Sequence, residues 1–160
     1  MITITSANQP ALDAASAPVR TKPSNYPEPY FSRMSRRIKR PLGDLFGLKN
    51  FGVNLTTLLP GGESALLHRH SKQDEFIYIL EGAPSLVSEK HESLLAPGMV
   101  VGFPAGGTAH QLINRTSSNV IFLEVGDRSA GDEVDYPVDD IPAVMGSDGW
   151  RFTHKDGRPY

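Results

Sequence analysis

The chain has 160 residues, with 16 basic side chains against 18 acidic ones and a formal net charge of -2, so it exerts no global attraction for nucleic acid. It contains no cysteine, which excludes disulfides and thiolate metal ligands and fits a cytoplasmic protein. No apolar run reaches the length of a membrane span, and the first residues lack the basic head and apolar stretch of a secretory signal.

One domain with extensions is expected at this length: an N-terminal arm over 1–44, a barrel over 45–126 and a C-terminal extension over 127–160. The arm is rich in Ala, Ser and Pro. Ile2 and Ile4 alternate with Thr3 and Thr5, a β-prone pattern suited to adding onto a sheet edge. RMSRRIKR over 33–40 carries five basic residues. It reads first as a solvated surface segment, with an anion contact as the alternative.

Short strands follow over 51–59, 65–70, 75–81, 84–88, 93–95, 99–103, 109–114 and 120–125, separated by Pro and Gly turns such as Pro60-Gly61-Gly62 and Pro104-Ala105-Gly106-Gly107. No segment of helical length shows firm helical periodicity. The pattern predicts an all-β antiparallel barrel or sandwich. The acidic run 127–141 is expected to cross the barrel surface as a loop, without the oxygen-ligand spacing of a calcium site. The tail from Trp150 to Tyr160 is expected to pack on the barrel or on a dimer partner.

The chemistry concentrates in two stretches. The first reads G-x5-H-x-H-x4-E-x6-G from Gly62 to Gly82, with His68, His70 and Glu75; the second runs from Gly98 through Pro104 to His110 and Asn114. Residues at i and i+2 of a strand share a face. His68 and His70 therefore point the same way, as do Glu75, Ile77 and Ile79, and His110, Leu112 and Asn114. A hairpin through the polar residues 71–74 would return Glu75 beside the two histidines. Three imidazoles and a carboxylate converging inside one barrel suit a single divalent transition metal; Mn, Fe, Ni, Co and Zn all accept such ligands. His91, in SEKHES, reads as part of an exposed turn.

On these motifs the chain resembles the cupin superfamily, and in particular small bacterial monodomain cupins. Its landmarks FGVNLT, QDEFIYILEG, EVGDR and FTHKDGRPY resemble those of members described as sugar-phosphate isomerases. The second motif departs from the family spacing, with three residues between Gly106 and His110, although Gly107 restores the usual two. The resemblance implies a double-stranded β-helix (jelly-roll) barrel holding a metal at His68, His70, Glu75 and His110.

Three functions are compatible with that site. A metal-dependent isomerase of a small carbohydrate-like or carbonyl compound comes first. Its catalytic base is not identified, with Lys72, Tyr78 and His154 as weak candidates, and Arg115 or Lys155 as possible phosphate holders. An iron-dependent dioxygenase uses the same ligands, and a non-catalytic small-molecule sensor needs no base at all. The expected partners are a small molecule and a second copy of the chain in a homodimer. Neither nucleic acid nor membrane is expected, since no room exists ahead of residue 45 for a helix-turn-helix domain.

Overall fold

The computed structural model describes residues 11–160; the alternating Ile2–Ile4 stretch lies outside them. Among the described residues, twelve strands form three antiparallel sheets. The five-stranded sheet contains β1 (Arg37–Pro41), β2 (Phe51–Leu58), β9 (Val120–Asp127), β4 (Glu75–Glu81) and β7 (Val100–Phe103), in the order β1-β2-β9-β4-β7. A three-stranded sheet faces it, with β6 (Glu92–Leu94), β5 (Ser85–Ser88) and β8 (His110–Ile113) in the order β6-β5-β8. The third sheet contains β12 (Gly149–Phe152), β11 (Ala143–Gly146), β10 (Glu133–Asp135) and β3 (Arg69–His70), in that order. The only α-helical pieces among the described residues are α1 (Tyr30–Arg33) and α2 (Leu42–Leu45). The result is the expected all-β jelly roll.

Alternation along the strands builds the barrel floor. On β4, Ile77 and Ile79 are buried while Tyr78 and Leu80 are exposed. The inward pair packs with Leu58 of β2, Leu112 of β8, Val120 and Phe122 of β9, and Leu95. Asn114 ends the β8 run with no exposed surface. Its amide donates to the carbonyls of Leu58 and Ser118, and its oxygen accepts from Thr116, so a buried polar side chain is fully used in tying two loops to the floor. Gly82 closes β4 at φ 78°. A Cβ there would lie 2.5 Å from the Asn119 carbonyl oxygen, so both the turn and the close approach require glycine.

The structure corrects the expected organisation in four places. Residues 33–40 are not a solvated segment: β1 pairs along β2 from Arg37↔Leu58 to Pro41↔Asn54, and Arg37 is buried. Regular strand over 65–70 shrinks to Arg69–His70, preceded by an isolated bridge between His68 and His110. Residues 71–74 are not a hairpin turn. They carry the chain from one sheet to another, because β3 pairs with β10 whereas β4 pairs with β7 and β9. The acidic run 127–141 is not all loop, since it contains β10 and buries Asp132 completely.

A second apolar cluster results. Met34, Leu66, Val134, Tyr136, Ile141 and Ala143 form it, with Tyr26, Tyr30, Trp150 and Phe152 packed around them. N-terminal and C-terminal segments meet here over one end of the barrel.

Candidate functional site

Three local devices deliver the four motif residues. His68 and His110 are a bridged pair, with each backbone N–H donating to the other's carbonyl at 3.2 and 2.8 Å. His70 lies on β3 and Glu75 opens β4. Their side chains converge. Glu75 Oε2 lies 2.9 Å from His110 Nε2, 3.4 Å from His68 Nε2 and 3.7 Å from His70 Nε2. Donor atoms of His68, His70 and Glu75 lie within 4.8 Å of one another, a grouping that could hold a metal ion; His110 adjoins it through Glu75.

The opposite ring nitrogens decide what the Nε2 atoms present. His68 Nδ1 faces the Leu66 carbonyl at 2.8 Å and His110 Nδ1 faces the Thr108 carbonyl at 3.3 Å. A carbonyl only accepts, so both Nδ1 atoms carry the proton. His70 Nδ1 sits 2.5 Å from the Asp132 carboxylate, which orients it in the same sense. A neutral imidazole held in this way turns a lone pair toward Glu75, itself an acceptor. Lone pairs at 2.9 to 3.7 Å from a carboxylate oxygen repel unless positive charge lies between them. Either extra protons or one cation meets that need, and the donor set is the nitrogen and oxygen type that divalent transition ions accept.

The extra-proton state has its own electrostatics. Burial alone would raise the Glu75 carboxyl; with His110 and His68 also protonated at Nε2, their hydrogen bonds and imidazolium charge hold it well below the usual carboxylate range. Burial pulls His110 down and outweighs its bond to Glu75. At His68 the order reverses: burial pulls down, but Glu75 and the Leu66 carbonyl prevail and raise it.

An aromatic ring packs on every imidazole. Phe103 lies parallel to His110 at 3.3 Å between centroids, Tyr136 stacks on His68 at 6.0 Å, and Trp150 meets His70 edge-on at 6.1 Å. The group opens into a cavity of about 600 Å³, within the range of small-molecule sites.

Solved structures similar to this chain describe the same architecture. A cupin-superfamily sugar phosphate isomerase from Silicibacter pomeroyi DSS-3 is 41% identical over 94% of this chain and 96% of that one, with a TM-score of 0.88. The Cupin domain family matches residues 54–126. The chain belongs to the cupin superfamily. A provisionally named sugar phosphate isomerase from Acidithiobacillus ferrooxidans ATCC 23270 is 31% identical to this cupin over 78% of it and 80% of the other chain, with a TM-score of 0.71. The polyketide cyclase RemF from Streptomyces resistomycificus, 20% identical over 75% and 80% of the two chains with a TM-score of 0.61, shares the fold alone. No curated protein sequence matches the chain.

The cupin does not bring the other sequence candidates to the cavity. Lys72 is exposed in the 71–74 connection. Tyr78 lies on the outward face of β4. His154 is held outside by Asp140 at 2.8 Å and by stacking on Tyr160 at 4.0 Å. Arg115 pairs with Glu92, Lys155 donates to the Pro137 carbonyl, and His91 is in an exposed turn capped by Ser88.

Two functional residues were missed from sequence, Asp132 and Tyr136. Both lie in the stretch treated as loop. The signal that could have found them is the V-D-Y alternation of Val134, Asp135 and Tyr136, two residues beyond Asp132. Asp132 also accepts from the backbone N–H of Lys72 at 2.8 Å, fixing the connection between His70 and Glu75. No described helix is long and apolar enough to cross a membrane.

Proposed function

We propose that this cupin is a metal-dependent enzyme that isomerises a small carbohydrate-like carbonyl compound, with sugar phosphates the first class to test. In this reading His68, His70, Glu75 and His110 hold one divalent ion, drawn from Mn, Fe, Ni, Co and Zn. The observation that carries it is the convergence of three Nε2 lone pairs on Glu75, each ring committed at Nδ1. The 41% and 31% identical relatives described as sugar phosphate isomerases support the reaction class.

A bound ion would supply a Lewis acid for a carbonyl oxygen. The chain's own residues do the rest. Asp132 and the Leu66 and Thr108 carbonyls hold each imidazole in one tautomer. Burial raises the Tyr136 hydroxyl well above its ordinary range, so it stays protonated and donates to Tyr26 Oη at 3.4 Å, keeping a hydrogen-bonding group at the cavity wall. The apolar floor of Phe122, Ile77 and Ile79 excludes water from beneath the reacting end. Outward Tyr78 and Leu80 on β4, beside Val100 on β7, leave an apolar face that supports the expected homodimer.

The test pairs elemental analysis with turnover. Protein purified without a metal affinity column should carry near one equivalent of a transition metal and interconvert at least one aldose–ketose pair from a panel of free and phosphorylated sugars. His68→Ala and Glu75→Ala should lose the metal and the activity while remaining folded. Unchanged metal content in both variants would remove the ligand assignment, and a metal-loaded enzyme inert on the whole panel would remove the isomerase reading.

A further inference from the structure

One wall of the cavity is cationic, and the proposed metal site does not explain it. Arg37 and Lys39 alternate on β1 and so share a face. Lys39 is opposite Thr56, which is opposite Phe122 of the barrel floor; that face is therefore the interior one. Arg20 joins them because its backbone N–H donates to the Lys39 carbonyl at 2.8 Å, docking the N-terminal segment along β1. All three side chains line the same cavity as Glu75 and the histidines.

Their charges are poorly balanced. Arg37 is 8% exposed. It donates only to backbone carbonyls, of Ser64 at 2.5 Å and Pro23 at 2.7 Å, and its Nε is buried without a partner. Arg20 bonds the neutral Asn25 side chain at 2.8 Å. Among the described residues, neither arginine has a carboxylate at ion-pair distance. Only Lys39 has one, a close pair with Glu124 Oε1, which also accepts from Asn54 at 3.1 Å. On this wall three cations thus face one carboxylate, with Glu75 and Asp127 elsewhere in the cavity offsetting part of the remainder, in a partly enclosed space where a buried cation is costly unless compensated.

We infer that this wall, Lys39 backed by Arg37 and Arg20, is an anion subsite that seats a phosphate monoester, with Glu124 as the internal counter-ion that the phosphate displaces from Lys39. The assignment to a substrate rests on the proposed isomerase function; the anion site itself does not. A phosphate monoester carries a charge of about -1.5 to -2 at neutral pH, opposite in sign to the wall and dense enough to compete with one carboxylate for Lys39. The geometry also suits a small substrate. Ile77 is opposite Glu124 and Glu75 is opposite Gly126, so Glu75 and Glu124 are diagonal neighbours on adjacent strands, about 7–8 Å apart by their backbone positions. A chain of a few carbons spans that distance, with its phosphate on Lys39 and its carbonyl end at the histidines. Arg37 does not touch the anion, because its outer nitrogens are engaged and its Nε is inaccessible. It contributes fixed charge, and Lys39 contributes the contact.

Calorimetric titration of the metal-loaded full chain with inorganic phosphate tests this. The wild type should bind phosphate. Lys39→Met should weaken binding at least about tenfold, the scale of one lost charge-assisted hydrogen bond. Glu124→Gln should tighten it several-fold, because the competing carboxylate is gone. Opposite signs at two residues in direct contact are the discriminating result, since a merely structural pair would lose affinity in both variants. Metal content and melting temperature are measured alongside; if Lys39→Met does not fold, the tightening by Glu124→Gln decides alone. No phosphate binding by the wild type, or Glu124→Gln binding no tighter than the wild type, overturns the subsite. Phosphate held on the metal alone would leave both variants unchanged and overturn it equally. Turnover of unphosphorylated sugars without phosphate binding removes the subsite and leaves the isomerase. Phosphate binding with the expected signs but no turnover supports the subsite and counts against the isomerase.

Discussion

The two apolar clusters of this molecule are built on different plans. The floor, around Phe122, Ile79 and Leu112, comes from barrel strands that alternate inward and outward side chains. The cluster around Met34, Leu66, Tyr136 and Ile141 joins segments about a hundred residues apart, and edge-to-face aromatic contacts do much of its packing, with Tyr26 against Tyr136 at 5.8 Å and Phe152 at 5.7 Å. None of the histidines' Nδ1 partners belongs to the floor. The second cluster adjoins two of them: Leu66 supplies the carbonyl for His68, Tyr136 stacks on that ring, and Asp132 immediately precedes the strand that carries Val134. The floor reaches the site through Phe103 on His110, whereas the second cluster holds it through His68 and His70.

That division can be broken experimentally. The largest effect is expected from Phe122→Ala, which removes a fully buried ring from the floor and should cost about 3–5 kcal/mol in denaturant unfolding, with metal stoichiometry unchanged in the molecules that remain folded. Ile141→Ala in the second cluster should cost about 2–5 kcal/mol and, unlike the floor variant, should also weaken metal retention against a chelator. Equal metal retention in the two variants would erase the distinction. Asp132→Asn puts an NH2 where the buried carboxylate accepted from His70 Nδ1; it should lower the melting temperature less than either core variant but lower metal affinity about 10- to 100-fold, read by competition with a chromogenic chelator. The smallest effect lies at the tail. Hydrogen bonds from the Lys155 backbone N–H and from His154 lower the Asp140 carboxyl. A folded value below the unfolded one means that the tail contact is complete above the ordinary carboxylate range and is lost as pH falls through the depressed value. Amide exchange over 153–160 should rise in that acidic window while exchange in β4 and β9 stays slow.

The same division explains what could be foreseen. Motif spacing singled out His68, His70, Glu75 and His110, and their side chains lie close together although neither the strand expected over 65–70 nor the hairpin at 71–74 forms. Ile77, Ile79 and Leu112 were legible because strand alternation is a local rule. The sheet membership of β3 was not, because its partner β10 lies more than sixty residues away and both strands are too short for a period to register. Asp132 was hidden among five other acidic residues whose side chains look alike in sequence; only burial distinguishes it. The basic run 33–40 was misjudged because counting charges ignores alternation: Arg37 and Lys39 turn inward, whereas Arg33 and Arg36 remain outside.

The position of β3 has a mechanical consequence. His70 belongs to the four-stranded sheet, Glu75 to the five-stranded sheet and His110 to the three-stranded sheet. An ion gripped by all three would act as a rivet through their common seam. Removing it should loosen the short β3 edge against the other two sheets, so amide exchange at β3 would report on occupancy of the site.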